Sequence, residues 1–335
     1  MDFRSIIGHE NIITHLKSAI TKQTISHAYL LEGEDGSGKL MLAEAFAKDL
    51  LCEDNIIVDG KKVCCNHCKA CLQVETKNHP DVVYVTHEKA SIGVEDIRVQ
   101  LNSDIAIKPY SSDKKVYIID EAEKMTEGAQ NALLKTIEEP PEYAVILLLT
   151  NNRNAMLQTI LSRCVRLTLW PVPSEKIVNF LMEQYQIPDY LAKISSAFSG
   201  GIVGKAIQFA TSDEFDTIKS YVIQLVNTIS ECRTYELMEM VKVLNEDKGK
   251  LTSYLDLCIL WYRDVLIYKS TLQSKAVMFQ EDISNIKRQA ERFDYDKIEL
   301  IFRAIDEAKQ RLKANVNAEI VIEMMLLTIK ENRND

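Results

Sequence analysis

The sequence lacks any apolar run long enough to cross a bilayer. Its longest, AVILLL at 144–149 and LCILWY at 257–262, fall far short of the roughly 18–20 residues that a spanning helix needs. A basic excess is missing too. Forty Lys and Arg against 49 Asp and Glu leave a net charge of −9, whereas a protein that works alone on nucleic acid usually carries a basic footprint. Any DNA contact is therefore expected from a local patch or through partners. The opening residues MDFRSIIGHENI hold an acid and a base but no apolar signal region, so the expected compartment is the cytoplasm. No internal repeat and no low-complexity tract interrupts the chain. What remains is the composition of an ordinary soluble protein, 46% apolar and 27% charged. Its 335 residues are too many for one core, which predicts two or three domains.

Residues 1–168 alternate between helical and extended patterns. HENIITHLKSAITK has helical spacing of its apolar residues. AYLLEG (28–33), DVVYV (81–85), KVYIID (115–120) and AVILLLT (144–150) read as buried strands. LMLAEAFAKDLLC, VEDIRVQLNSDI and TEGAQNALLKTIEE read as helices between them. Such alternation predicts an α/β domain, a parallel sheet with helices on both faces. After Trp170-Pro171-Val172-Pro173 almost only helical periodicity remains. A polar break at 211–216 divides it into a small helical domain, 169–212, and a larger all-helical one, 213–335.

Residues 33–40, GEDGSGKL, follow a strand and open a helix. Gly33, Gly38 and Lys39 hold their places in the phosphate-loop pattern G-x-x-x-x-G-K-[ST], with Gly36 inside it. In such a loop backbone N–H groups curl around phosphate, and the helix N-terminus adds positive partial charge. Leu40 stands where a hydroxyl should hold Mg²⁺, and an isobutyl group ligates no metal. KVYIIDEAEK places Asp120 and Glu121 at a strand end, as a metal-binding acid and a water-polarising acid. The bland alternative is an acidic first turn of the next helix. Asn151, at the end of AVILLLTNN, is placed to orient a γ-phosphate or a water, since ligands in open parallel sheets lie at the carboxyl ends of strands. Asparagine is also a common turn former.

Taken together, HAYLLEGEDGSGKL, VYIIDEAEKM, NALLKTIEEPP, LLLTNN and ILSRCVRL resemble the clamp-loader branch of the AAA+ ATPases, over residues 27–167 and in the expected order. The resemblance implies a P-loop AAA+ domain, then a helical lid and a helical collar that joins subunits into a ring. It implies that Arg163, in S-R-C, is an arginine finger projecting into a neighbour's nucleotide site. Bacterial loaders combine motor subunits of the tau/gamma type, a clamp-opening delta subunit and a non-motor subunit. Motor subunits carry a further sensor arginine in a G-S-x-R-D-A phrase. Here that phrase is Gly201-Ile202-Val203-Gly204-Lys205-Ala206, with Gly204 in the arginine's place. The site has thus lost a phosphate-binding cation and a metal ligand, and each such loss commonly costs ~10²–10³ in rate. The finger is intact. This combination resembles the non-motor member, a stator within the DNA polymerase III holoenzyme. The resemblance implies as partners the motor and delta subunits in a hetero-pentamer, the sliding clamp, and primed DNA through the assembled complex. It also implies a cytoplasmic, nucleoid-associated place and little or no ATPase activity of the chain itself.

Four of the eight cysteines crowd into residues 64–71. Cys65, Cys68 and Cys71 form C-x₂-C-x₂-C, whose two-residue gaps let thiolates curl around one ion, and Zn²⁺ takes four such ligands. The fourth is read as Cys52, with Cys64 as its rival. The cluster, at about 52–76, resembles the zinc module that loader subunits insert at this point, although the gap from Cys52 to Cys65 is wider than in that module. Two other readings of the chain stand beside the stator. Gly33, Gly38, Lys39, Asp120 and Glu121 favour an active tau/gamma-type motor, which Leu40 and Gly204 oppose. The D-E-A-E string suggests a nucleic-acid helicase, which the negative charge and the lack of a second motor domain oppose. ATP or ADP is a cofactor only on a degenerate site.

Overall fold

Among the described residues, seven strands are formed: β1 (Ala28–Glu32), β2 (Ile56–Val58), β3 (Lys61–Val63), β4 (Val82–Val85), β5 (Lys115–Ile119), β6 (Ala144–Thr150) and β7 (Val165–Thr168). Five of them make one parallel sheet in the order β4-β5-β6-β1-β7. The computed structural model describes residues 2–58, 60–87, 90–246 and 248–331. By packing, the chain divides into two units, residues 1–180 with 200–205, and residues 181–199 with 206–335.

The sheet is explained by its alternating side chains. Tyr29 and Leu31 of β1, Val116 and Ile118 of β5, and Val145, Leu147 and Leu149 of β6 point to one face. There they meet α1 (Glu10–Lys22) and α2 (Lys39–Leu51) through Leu16, Ile20, Leu42 and Phe46. Leu30, Tyr117, Ile119, Ile146 and Leu148 point to the other face, against Ile97, Leu101 and Leu133. Both faces are covered, so the strands read as near-continuous apolar runs. β1, which leads into the phosphate loop, lies inside the sheet, flanked by β6 and β7.

Other elements depart from the expected ones. α3 (Lys69–Glu75) follows an antiparallel β2-β3 hairpin in the Cys-rich segment. The sequence signal of that hairpin is Asp59-Gly60 between IIV and KKV, the pair favoured in two-residue hairpin loops. The predicted helix VEDIRVQLNSDI is helical through residue 102, but only its first turn, α4 (Val94–Ile97), is α. It passes into a π-turn at 98–102, closed by Ser103 N–H donating to Arg98 O at 2.9 Å. α5 (Glu127–Glu138) is capped by the Thr126 hydroxyl, which accepts from Ala129 N–H. α6 (Gln158–Leu161) and β7 follow, then α7 (Ser174–Tyr185).

The second unit is helical: α8 (Asp189–Phe198), the latter part of α9 (Val203–Thr211), α10 (Asp213–Thr228), α11 (Thr234–Glu246), α12 (Leu251–Thr271), α13 (Ile283–Arg292), α14 (Tyr295–Lys313) and α15 (Ala318–Glu331). Trp261 and Tyr262 are fully buried in its core. The Trp261 indole N–H donates to Gln289 Oε1 at 2.9 Å, and Gln289 Nε2 donates to Val226 O at 2.9 Å. One buried amide thus ties α12, α13 and α10 together, satisfying polar atoms that burial would otherwise penalise. Among the described residues, no helix is long and apolar enough to cross a membrane.

Candidate functional site

The loop after β1 turns through glycines. Gly38 is the N-cap of α2 at φ +95°, a conformation that side chains with a Cβ rarely adopt. The strand–loop–helix that the motif requires is therefore formed. Its lysine, however, is turned onto its own loop. Lys39 is buried, and its ammonium donates to Gly33 O at 2.7 Å and Glu34 O at 3.1 Å, with Asp35 Oδ1 at 3.6 Å. Leu40 is half-buried and packs into the core on the α1–α2 face of the sheet, so its side chain serves the fold. Ser37, one turn earlier, keeps a buried hydroxyl with no hydrogen-bond partner among the described residues.

The two acids of the loop attract the groups around it. Asn151 Nδ2 donates to both oxygens of Asp35 at 3.1 Å, and Lys205 Nζ pairs with Glu34 Oε2 at 2.9 Å. A phosphate entering here would meet two carboxylates and would compete with Asp35 for both Lys39 and Asn151. Glu121 sits at φ +51°, and its carboxylate pairs with Lys124 at 2.7 Å and lies 3.5 Å from His87 Nε2. The hydrogen bond from Lys124 holds its carboxyl below the usual range. Asp120 is half-exposed, and its Oδ1 accepts from Glu121 N–H at 2.9 Å.

Gly204 reaches the same loop. Its N–H donates to Gly36 O at 2.9 Å, and a Cβ built at 204 would lie 2.8 Å from that oxygen and 2.9 Å from Gly36 Cα. Those distances are shorter than real Cβ contacts. No side chain fits at 204 in this packing.

Arg163 follows α6 on the surface. Its Nη2 pairs with Glu138 Oε1 at 2.8 Å, and its Nη1 donates to Thr159 O at 3.0 Å. Its side chain is 40% exposed and that of Glu138 47%, so this pair is worth only about 0–1 kcal/mol. The arginine is held in place yet free to leave. Sequence reasoning missed the residue that sets the segment before it. Gln130 on α5 is buried, and its Nε2 donates to Ala155 O at 3.0 Å. Its Oε1 accepts from Leu157 N–H at 2.7 Å. A polar residue at a core-facing position of NALLK's own helix was the available signal.

The cysteine cluster is compact. The sulfurs of Cys52, Cys65, Cys68 and Cys71 all lie within 4.8 Å of one another. The Cys52–Cys65, Cys52–Cys68 and Cys65–Cys71 separations are 3.7, 3.9 and 4.0 Å. A tetrahedron with metal–sulfur bonds of about 2.3 Å has sulfur–sulfur edges of about 3.8 Å, so these four sulfurs fit one metal ion. Backbone N–H groups support three of them. Cys65 N–H points at Cys52 Sγ, Cys68 N–H at Cys65 Sγ and Cys71 N–H at Cys68 Sγ, at 3.4, 3.3 and 3.4 Å. Cys64 faces elsewhere, its thiol donating to Asn66 Oδ1 at 3.3 Å while burial pushes it up to about 12. His67 bonds the Cys65 carbonyl and is exposed.

Comparison with known proteins places the chain in a family. The family model for DNA polymerase III, delta subunit, matches residues 8–173, and a second model, for the C-terminal part of the delta subunit, matches 215–331. The chain is 27% identical to the DNA polymerase III tau subunit of Bacillus subtilis (strain 168), over 98% of this chain but only 61% of that one. It is 29% identical to the gamma subunit of Buchnera aphidicola subsp. Acyrthosiphon pisum, over 98% and 95%. Against the DNA polymerase III subunit delta' of Bacillus subtilis (strain 168) the identity is 31% over 94% of both chains. The chain belongs to the delta-prime family of DNA polymerase III clamp-loader subunits.

Proposed function

We propose that this clamp-loader subunit is a stator. It holds its place in a ring with motor subunits of the tau/gamma type and a delta subunit, and it does not fire a nucleotide site of its own. The observation that carries this reading is the Gly204–Gly36 contact. It accompanies a phosphate loop whose lysine is engaged by its own carbonyls and by Asp35. With Leu40 unable to hold Mg²⁺, three parts of a hydrolytic site are absent or engaged. Gly33, Gly36, Gly38, Asp120 and Glu121 remain as its frame, so ATP or ADP would bind weakly and without turnover.

Arg163 is the residue that works in another chain's site, as an arginine finger of the kind worth 10³–10⁵ in rate. Its support is exposure, a weak tether to Glu138 and its place in S-R-C. Cys52, Cys65, Cys68 and Cys71 would hold structural zinc, a closed four-thiolate set with no water-activating base. Residues 169–212 would act as the lid and 213–335 as the collar. The assembled complex would load the sliding clamp onto primed DNA in the cytoplasm, at the nucleoid. Calorimetric titration of the purified chain with ATP-Mg²⁺ tests the reading. No turnover and at most millimolar binding, insensitive to Lys39→Ala, is expected. Hydrolysis abolished by Lys39→Ala would restore the motor reading.

A further inference from the structure

A second cleft, of about 400 Å³, opens at the carboxyl ends of β6, β1 and β7. The sequence of β7 builds one wall. Val165-Arg166-Leu167-Thr168-Leu169-Trp170 alternates, with Leu167 and Leu169 buried and Arg166 and Trp170 exposed. Period-2 geometry therefore sets Arg166, Thr168 and Trp170 in a row on one face, about 6.6 Å apart. The segment after β6 supplies the other wall, with Asn151, Asn152, Arg153 and Asn154, and Glu32 at the end of β1 lies between the walls. Trp170 is 72% exposed. Among the described residues the Arg166 guanidinium has no ion-pair or hydrogen-bond partner, while its backbone lies in the β1–β7 ladder. Arg153 has one distant carboxylate, Glu32, at 3.9 Å.

Arg153, Arg166 and Trp170 are not needed for the core and do not belong to the phosphate loop, although Asn151 at the cleft's edge bonds Asp35 of that loop. An aromatic plane and two guanidinium groups in one concavity, with a single carboxylate, Glu32, beside Arg153, match a base that stacks and a phosphate that is neutralised. The cleft holds no aliphatic side chain. A protein anchor would use a desolvated apolar pocket around its Trp and Arg, so the lining favours nucleic acid over a protein partner. The net charge of −9 does not oppose this. Charges more than about 8–10 Å away are largely screened at physiological salt.

We propose that this cleft binds single-stranded nucleic acid directly, with a base stacked on Trp170 and its flanking phosphates on Arg166 and Arg153. The stator would then contact the strand itself and not only through its partners.

The isolated full chain suffices as a test, independently of ring assembly or nucleotide status. The protein has two tryptophans, and Trp261 is fully buried, so quenching reports on Trp170. Decathymidylate should quench it saturably at micromolar concentration. The slope of log K against log salt should be about −1.4 for two phosphates on a single strand. By anisotropy of the labelled strand, Trp170→Ala should weaken binding about tenfold or more. Arg166→Ala should halve the salt slope. Both positions are exposed, so unchanged thermal melts should accompany these losses. Absence of saturable quenching overturns the proposal, as does unchanged affinity in Trp170→Ala or Arg166→Glu. Equal quenching by thymidine monophosphate at the same nucleotide concentration would reduce the cleft to a free-nucleotide site. Equal quenching by oligoglutamate would make it an acidic-protein contact. Either result overturns strand binding.

Discussion

The Gly204 N–H and the Gly36 carbonyl form a 2.9 Å hydrogen bond that leaves no room for a Cβ at 204. The position is intolerant for a steric reason, since Gly204 is not in the positive-φ region. Gly204→Ala should therefore destabilise the unit containing the sheet by about 1–3 kcal/mol, the usual cost of overpacking. Gly204→Arg should cost at least as much and restore no ATPase, even combined with Leu40→Thr. Denaturant melts and phosphate release check both. An arginine variant of wild-type stability would show that the contact is not close-packed.

Arg163 and Glu138 give a prediction of opposite character. Both are exposed, so Arg163→Ala should shift the stability of the isolated chain by less than about 0.5 kcal/mol. In the assembled loader it should lower DNA-stimulated ATP hydrolysis by about 10²-fold or more at the site it serves, with assembly intact. Glu138→Gln, which only releases the arginine, should leave that rate within a few-fold. Unchanged turnover in the Arg163→Ala loader would remove the finger role.

For the cysteines, metal analysis should find one zinc per chain. Cys52→Ser should lose it, because its sulfur lies 3.7 and 3.9 Å from those of Cys65 and Cys68. Cys64→Ser should keep it, since that thiol faces Asn66. Chelation should unfold the segment around the β2-β3 hairpin before the sheet, seen as early amide exchange there. Retention of metal by Cys52→Ser would overturn the assignment.

Asp81 carries a pH prediction. Its buried carboxylate accepts from Tyr110 N–H at 2.5 Å and from Ser111 N–H, Ser111 Oγ and Ser112 N–H at 2.8, 3.0 and 2.9 Å. Burial alone would push the carboxyl up, but these hydrogen bonds outweigh it and hold it below its ordinary value. A depressed carboxyl stabilises the fold above its unfolded pKa of about 3.9, and that contribution is lost as pH falls through the lower folded value. Asp81→Asn should cost about 2–3 kcal/mol at pH 7, and the gap to wild type should narrow below about pH 4. Urea midpoints from pH 3 to 7 measure it. A gap independent of pH would show that the charge is not what the loop uses.

Much of the sheet is legible in the chain because four of its strands are buried on both faces. AYLLE, VVYV, KVYII and AVILLLT announce themselves as apolar runs. β7 does not. It is an edge strand of four residues whose alternating Arg166 and Thr168 face outward, so its signal is weak and its role emerges only through pairing with β1. The π-turn after α4 likewise has no period to detect. Among site residues, Lys39, Asp120 and Arg163 follow from motif phrases, whereas Gln130 and Asp35 do not. Their importance lies in which backbone or side chain happens to lie opposite.

Residue order alone specifies the phosphate loop, the thiol spacing of Cys65, Cys68 and Cys71, and the absence of a hydroxyl at Leu40 and of any side chain at Gly204. These are local facts, set by residue type and short spacing. Packing settles that Cys52 and not Cys64 completes the group of four sulfurs. It also decides that Gly204 closes on Gly36, and that Asp35 engages both Lys39 and Asn151. The physical reason is the same in each case. Contacts between groups far apart in the chain depend on how helices and strands pack, and no period within a segment encodes which distant atom will lie 3 Å away.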